Sequence, residues 1–332
     1  MSYHCNNRDC DNHKAQLPAT AAEKFDHRCF LCDVGELILP ELTLEGMVKD
    51  VDSLPVALQI LPRLKVLLDD DNSTMEDIVN VTRTDASLVT QLIKISNSAI
   101  YAMADSRFCG TIEEALNRIG FNTAYKVVGY VAAKQVFQKD LEIYGLTGLG
   151  LWELSVRTGT CMQKLASRIQ STSDLYVPPD DATAYTVGLL HPIGKMLINH
   201  YHQTRGIPAI TGADFPLSED DEKTHLGFTH RDAAAKLLAL WNFQDDVVNP
   251  IRHQAKPLVS KGDRPLACLL SILAKAIVQF PVGSDLTPAI LAEKFKPDQE
   301  QAAILGIPKT EVVDVLLESA EECRHLAQSL SR

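Results

Sequence analysis

Four of the eight cysteines of this chain lie in its first tenth, at a spacing that could bind a metal. They are Cys5, Cys10, Cys29 and Cys32. Four thiolates close the tetrahedron of a structural zinc site, and the second pair, separated by two residues, resembles a zinc knuckle. Three neighbouring histidines could replace one thiolate: His4, His13 and His27. The spacing therefore predicts a structural zinc site with no open position for catalysis.

The segment that carries these cysteines, residues 1–40, has few apolar side chains for a core of its own. So short a segment folds only around a metal or against a larger body. The alternative is a loosely ordered tail whose cysteines are incidental. The other four cysteines are isolated from one another, and lone buried thiols usually act as small hydrophobic side chains.

The rest of the composition is that of an ordinary globular chain of 332 residues, 45% hydrophobic and 23% charged. It has 32 Lys and Arg residues and 43 Asp and Glu residues, which gives a net charge of −11. Because that charge repels phosphate backbones and anionic lipids, we expect neither nucleic acid nor a membrane as a partner. The longest apolar stretch, Leu266 to Phe280, falls short of the roughly 20 residues that cross a bilayer. We expect a cytoplasmic protein with reduced thiols.

Helical periodicity dominates the chain beyond the cysteine segment. Residues 73–76 and 111–114 have the form of capping boxes, with a hydroxyl at the first position and Glu three residues later. Apolar residues behind them recur every three or four positions, and no stretch alternates apolar and polar residues over the length of a strand. The sequence predicts an all-α fold in which both tryptophans are well buried.

A series of motifs in this helical region follows one recurring pattern. The first half holds Leu54-Pro55, Leu61–Leu64, Thr84–Leu88, Asn97-Ser98 and Thr111–Gly120, and the second holds Leu151-Trp152, Gly188–Lys195, Leu240-Trp241 and Ile251–His253. Over about residues 45–325 the chain thereby resembles the HDOD family, the HD-related output domain of bacterial signalling proteins. The resemblance implies a helical lobe at residues 41–145 and a second lobe at residues 146–332, similar to HD phosphohydrolases.

An HD phosphohydrolase binds divalent metal through several His and Asp ligands, and the metal activates water. This chain departs from that ligand set at four positions. Where the family has its first His, this chain has Glu153-Leu154, and where the family has His-Asp, this chain has His191-Pro192. The family's downstream His-His is replaced by His253-Gln254, and its late Ala-Asp is replaced by Ala274-Lys275. Leu, Pro and Gln supply no anionic ligand, and Lys repels a divalent ion. The resemblance therefore implies a degenerate, relict pocket formed by His191, His230, His253 and Lys275.

These features favour a non-catalytic signalling or regulatory protein whose partner is another signalling protein. Two alternatives stay open at this stage: a metal-dependent phosphohydrolase or cyclic-nucleotide phosphodiesterase with residual activity, and a nucleotide sensor without hydrolysis. Asn97 and Ser98 end an apolar helix, where they either cap it and join a buried amide network or contact a ligand or partner. The only cofactor expected is the N-terminal zinc.

Overall fold

The computed structural model describes the chain from residue 2 to residue 331, with gaps. The described residues are 2–5, 10–11, 17–18, 29, 32, 37–38, 43–49, 57–70, 72–98, 101, 108–137, 139–170, 180–205, 207, 216–260, 263–283 and 287–331. They form sixteen α-helices, two short 3-10 helices and three short strands. The fold is all-α, as the sequence predicts.

The helices of the first half precede a 3-10 helix at Glu142–Tyr144. They are α1 Leu44–Lys49, α2 Ala57–Asp69, α3 Met75–Thr82, α4 Ala86–Ser96, α5 Ile112–Ile119 and α6 Phe121–Val136. The second half holds α7 Gly148–Ala166, α8 Asp181–Leu190, α9 Ile193–Arg205, α10 Glu219–Leu226, α11 His230–Leu240, α12 Asp245–His253, α13 Arg264–Gln279, α14 Pro288–Lys294, α15 Gln299–Leu305 and α16 Lys309–Ser331. A second 3-10 helix, Pro257–Val259, lies between α12 and α13.

The N-terminal segment contains a small antiparallel sheet that the sequence analysis did not predict. Strand β1, Ser2–Cys5, lies between β2, Leu17–Pro18, and β3, Leu37–Ile38. The last two strands have only two residues each, which is too short for an alternating pattern to be recognised. The sheet brings the two halves of the cysteine segment together.

Helix α7 lies at the centre of the helical body, where it packs against α6, α8, α13 and α16. One continuous hydrophobic core runs from Met47 to Leu326 and so joins both halves. Helix α1 packs on α9 and α11 of the second half, and Lys236 Nζ lies 3.1 Å from a carboxylate oxygen of Glu45. The division into units at residues 40 and 145 stays a prediction.

Two local predictions differ from the structure. The capping box at the start of α3 uses Thr74 and Asp77, one residue later than the predicted pair, whereas the box of Thr111 and Glu114 at α5 is confirmed. Trp152 is buried as predicted, but Trp241 is only half-buried. The reason is that Trp241 follows the last turn of α11 as its C-cap, at the edge of the core.

No helix in the described part of the chain is both long and apolar enough to span a bilayer.

Candidate functional site

Two glycines bring the helices of the second half close enough together to form a shared cavity. A Cβ atom on Gly188 would lie 2.6 Å from the Cα of Gly159, so α8 and α7 cross with their backbones in contact. A Cβ atom on Gly194 would lie 1.7 Å from the carbonyl oxygen of His230, so the start of α9 rests on the start of α11. Only glycine allows such an approach, and it places His191 near His230.

His191 is a buried histidine that caps the C-terminus of α8. Its Nδ1 lies 2.6 Å from the carbonyl oxygen of Gly188, so Nδ1–H donates and Nε2 keeps its lone pair. Burial lowers the pKa of His191 to about 4, while the hydrogen bond to Gly188 opposes that shift. The ring is therefore neutral at physiological pH.

His230 lies at the first turn of α11 and is held by a completely buried carboxylate, Glu222 of α10. Its Nδ1 lies 2.9 Å from Oε2 of Glu222, and its backbone N–H donates to the same oxygen at 2.8 Å. The Tyr144 hydroxyl donates to the other oxygen at 2.6 Å. Burial lowers the pKa of His230, and although burial raises the pKa of Glu222, its hydrogen bonds lower it overall. A neutral imidazole therefore donates to a charged carboxylate.

Three cations lie around the two histidines. Arg231 forms an ion pair with Glu219, and its Nη1 lies 3.3 Å from His230 Nε2. Lys195 of α9 places its ammonium group 5.1 Å from the centre of the Tyr144 ring, and burial lowers its pKa. Lys275 of α13 supplies the third cation.

These side chains line a cavity of about 590 Å³ between α9, α11 and α13. Its polar lining residues are His191, Lys195, Ser218, Glu219, His230, Arg231, Gln254, Ser271 and Lys275, and its apolar ones are Leu154, Pro192, Leu217, Ala255, Ala274 and Val278. This volume is within the usual range for a small-molecule site. The structure thus contains a pocket where the HD-like motifs meet.

Of the four residues predicted for this pocket, the structure brings three together: His191, His230 and Lys275. His253 does not line it, because its Nδ1 bonds the carbonyl oxygen of Asn249 at 3.0 Å, and the next residue, Gln254, faces the cavity instead. The remaining residues of this site were not predicted: the charged Lys195, Glu219, Glu222 and Arg231, and the neutral Tyr144. Two of them were detectable from the motifs, since Lys195 is the last residue of the motif Gly188–Lys195 and Arg231 directly follows His230.

The donor set of the cavity does not fit the divalent metal of an HD phosphohydrolase. Three ligand positions are occupied by Pro192, Gln254 and Lys275. At the fourth position Leu154 lines the cavity, and the carboxylate of its neighbour Glu153 forms an ion pair with Arg157 at 2.9 Å. Among the described residues, no three His, Cys, Asp or Glu donor atoms converge at this cavity. We therefore derive no chemical step through a metal there.

Asn97 is a capping residue outside this cavity. Its amide nitrogen donates to the carbonyl oxygens of Ile93 at 2.8 Å and Cys109 at 2.9 Å, and its amide oxygen accepts from the Cys109 N–H at 2.8 Å. Arg118 also donates to that oxygen, at 3.2 Å. The amide thus fastens the segment before α5 to the end of α4. Its neighbour Ser98 donates its backbone N–H to Ile95, so both positions have structural contacts.

The cysteine segment forms a second, separate cluster. The sulfur atoms of Cys10, Cys29 and Cys32 lie within 4.8 Å of one another. Cys10 and Cys29 are both buried, and their sulfur atoms are 3.6 Å apart. A disulfide would need about 2.05 Å, whereas zinc–sulfur bonds of about 2.3 Å at tetrahedral angles separate two sulfurs by about 3.8 Å. The spacing fits a shared metal. Cys5 lies in β1, but its side chain, like those of the three candidate histidines, lies outside the described residues.

Comparisons with known proteins bear on the helical body. A curated protein from Treponema pallidum (strain Nichols), itself uncharacterised, is 26% identical over 266 residues, which are 76% of this chain and 48% of that protein. The chain thus spans about half the length of that relative. Three solved structures share the fold. An HDOD domain protein with unknown function from Geobacter sulfurreducens has 15% identity and a TM-score of 0.58, covering 85% of this chain and 97% of that one. A proposed phosphohydrolase from Shewanella amazonensis SB2B has 22% identity and a TM-score of 0.59 (86% and 97% covered), and a proposed signal transduction protein from Marinobacter aquaeolei VT8 has 23% identity and a TM-score of 0.58 (89% and 62% covered).

The family model of the HDOD domain matches residues 54–257, a narrower range than the sequence motifs indicated. The match includes the glycine crossings, His191 and His230, and it ends before α13, so Lys275 lies beyond it. Because it covers more than half of the chain, this protein belongs to the HDOD family.

Proposed function

We propose that this HDOD protein is a non-catalytic signalling protein that acts through contacts with another signalling protein. The observation that carries the proposal is the charge of the cavity: Lys195, Arg231 and Lys275 lie where an HD phosphohydrolase would bind a divalent cation. The two nearby carboxylates are already engaged, Glu219 with Arg231 and Glu222 with His230. Such a site repels the ion on which hydrolysis depends.

A phosphohydrolase assay tests this proposal. The purified full chain is incubated with Mn²⁺, Mg²⁺ or Fe²⁺ and with cyclic dinucleotides or phosphate monoesters. We expect no turnover above the buffer control. Turnover that disappears in His191→Ala, but persists in the matched variant His200→Ala of the neighbouring helix, would refute the non-catalytic proposal. His200 is a suitable control because it is half-buried in α9 and does not line the cavity.

The proposal also includes a structural zinc ion in the N-terminal segment. Cys10, Cys29 and Cys32 would supply three thiolates, and Cys5 or a nearby histidine the fourth ligand. Zinc supplies no reactive position in a closed tetrahedral site, so its effect is to hold the short sheet together. Thiolates of this kind persist in a reducing compartment, which agrees with a protein of the cytoplasm.

A further inference from the structure

The cavity between α9, α11 and α13 has more positive than negative charge in its lining. Lys195, Arg231 and Lys275 contribute three positive charges, and Glu219 is the one carboxylate among the described lining residues. Behind the lining, Glu222 adds a second negative charge, so the site keeps an excess of one positive charge. An anion inside would be attracted, and partial exclusion of water strengthens that attraction.

A buried hydroxyl at the same cavity has no partner. Ser271 on α13 is 1% exposed, lines the cavity, and its Oγ makes no hydrogen bond. A serine inside a helix ordinarily bonds the carbonyl oxygen one turn earlier or faces water. A buried hydroxyl left unpaired is unfavourable, so this group is available for a ligand oxygen.

The lining also determines which part of a ligand would be recognised. Among the described lining residues there is no Phe, Tyr or Trp, and the two imidazoles, of His191 and His230, are each fixed by a buried hydrogen bond, so the cavity offers no large aromatic surface for a nucleobase. The ammonium groups and the hydroxyl are hydrogen-bond donors, which is the chemistry that oxyanions require. Recognition in this site therefore rests on the anionic group of the ligand rather than on a base.

We infer that the cavity binds a small phosphate-bearing anion without a metal, with the phosphate held by Lys195, Lys275 and the Ser271 hydroxyl. The inference rests on the proposed function, since the same cations that exclude the metal attract the anion. Because the three groups come from α9 and α13, a bound phosphate would bridge two helices that flank the HD-like motifs. The ligand would thereby link cavity occupancy to the packing of the second half.

Calorimetric titration of the full chain with inorganic pyrophosphate tests this inference. We expect saturable binding that weakens about tenfold in Lys195→Met and several-fold in Lys275→Met, because each change removes one cation and keeps the apolar stem. Lys294→Met, on an exposed face of α14 outside the cavity, should bind like the unmodified chain. Lys275 is exposed, so its variant tests the site even where Lys195→Met disturbs folding.

Serine variants separate ligand binding from stability. Ser271→Ala should weaken pyrophosphate binding several-fold without lowering the melting temperature of the free protein, since it removes a hydroxyl that has no partner. Ser260→Ala is the matched control: that residue is also 1% exposed, its hydroxyl also lacks a partner, and it does not line the cavity. It should leave binding unchanged.

Four outcomes would each contradict one of the two proposals. The anion site is overturned if pyrophosphate does not bind at millimolar concentration. It is also overturned if Lys195→Met and Lys275→Met bind pyrophosphate as tightly as the unmodified chain does. Either result leaves the non-catalytic proposal intact. Equal binding of succinate overturns the assignment to phosphate. Binding accompanied by metal-dependent release of orthophosphate supports the anion site but overturns the proposed loss of catalysis.

Discussion

The N-terminal cysteine cluster and the helical cavity both contain residue types that bind metals, but their surroundings differ. Three sulfur atoms converge around Cys29 within 4.8 Å, and the described part of that segment has only a sheet of a few residues beside them. The cavity places two neutral histidines among three cations, inside a body with a continuous hydrophobic core. On the proposals above, the segment would depend on its ligands for structure, whereas the body has a hydrophobic core that needs no ligand. Loss of metal ligands would then be tolerated only in the body.

The largest effect is expected from disrupting the cysteine cluster. In Cys29→Ser, bound zinc should fall from about one per chain to a trace, because a structural site needs its full set of thiolates. The first 40 or so residues should become protease-sensitive while the helical circular dichroism of the body persists. Elemental analysis and limited proteolysis check this. Cys109→Ala, a buried cysteine far along the chain, is the control and should keep the metal.

The absence of metal from freshly prepared, reduced protein would contradict the zinc proposal directly. Zinc that survives in Cys29→Ser would place the metal at a different set of ligands.

The second largest effect is expected from disrupting the contact between α9 and α11 that forms the cavity. Gly194→Ala would press a Cβ atom into the carbonyl oxygen of His230, so the free energy of unfolding should fall by roughly 4 kcal/mol or more. Gly110→Ala is the control, because its new Cβ would meet only a carboxylate oxygen at 3.8 Å. Chemical denaturation measures both. A Gly194→Ala variant as stable as Gly110→Ala would show that α9 and α11 do not meet as described.

The two tryptophans test how strongly the body depends on packing. Trp152→Ala should cost about 3–5 kcal/mol, the usual loss for a buried aromatic side chain. Trp241→Ala should cost about half as much, because Trp241 is only partly buried at the end of α11. Urea unfolding of the two variants gives the difference. Equal losses would mean that Trp241 belongs to the core.

The last effect concerns acid, which should destabilise the two regions for different reasons. Thiolates release zinc when they are protonated, whereas His191 resists protonation because it is buried. Its pKa of about 4 lies below the 6.5 of an exposed histidine, so the unfolded state binds more protons between these values. Stability is therefore lost as the pH falls from 6.5 to 4, by about 3 kcal/mol from this residue.

In His191→Gln that part of the pH dependence should disappear, while His200→Gln, on α9, should retain it. Urea unfolding at several pH values measures the change. A His191→Gln variant with an unaltered pH profile would contradict the neutral, buried state of His191.

Much of the fold was predictable because helix periodicity and capping residues are local signals. The all-α fold and the cap of Thr111 and Glu114 follow from neighbouring residues alone. The capping box of Thr74 was misplaced by one position, because Ser73 offers the same hydroxyl and Glu76 the same carboxylate as the residues that follow them. The small sheet was missed because two of its strands have only two residues each.

The charge of the cavity was not predictable from local patterns. Tyr144 lies on an element far from His230 in sequence, and Glu222, although only eight residues before His230, lies on the preceding helix, so only the packing of these elements brings the three side chains together. His253 was assigned to the pocket from its motif, yet the turn after α12 directs Gln254 there instead. Which of two adjacent residues faces a cavity depends on the rotation of a helix end, and composition does not determine it.

Metal analysis of the Cys29→Ser chain tests the central claim most directly, because that variant lacks one of the three converging thiols and leaves the cavity as the remaining candidate for a metal site. The protein is equilibrated with Mn²⁺, Fe²⁺ or Zn²⁺, passed through a desalting column and assayed for metal. We expect less than about one-tenth of an ion per chain, since the cations around His191 and His230 repel divalent metal and Leu154, Pro192 and Lys275 offer no donor atom at their ligand positions. One bound ion per chain that is lost in Cys29→Ser/His191→Ala would contradict the account.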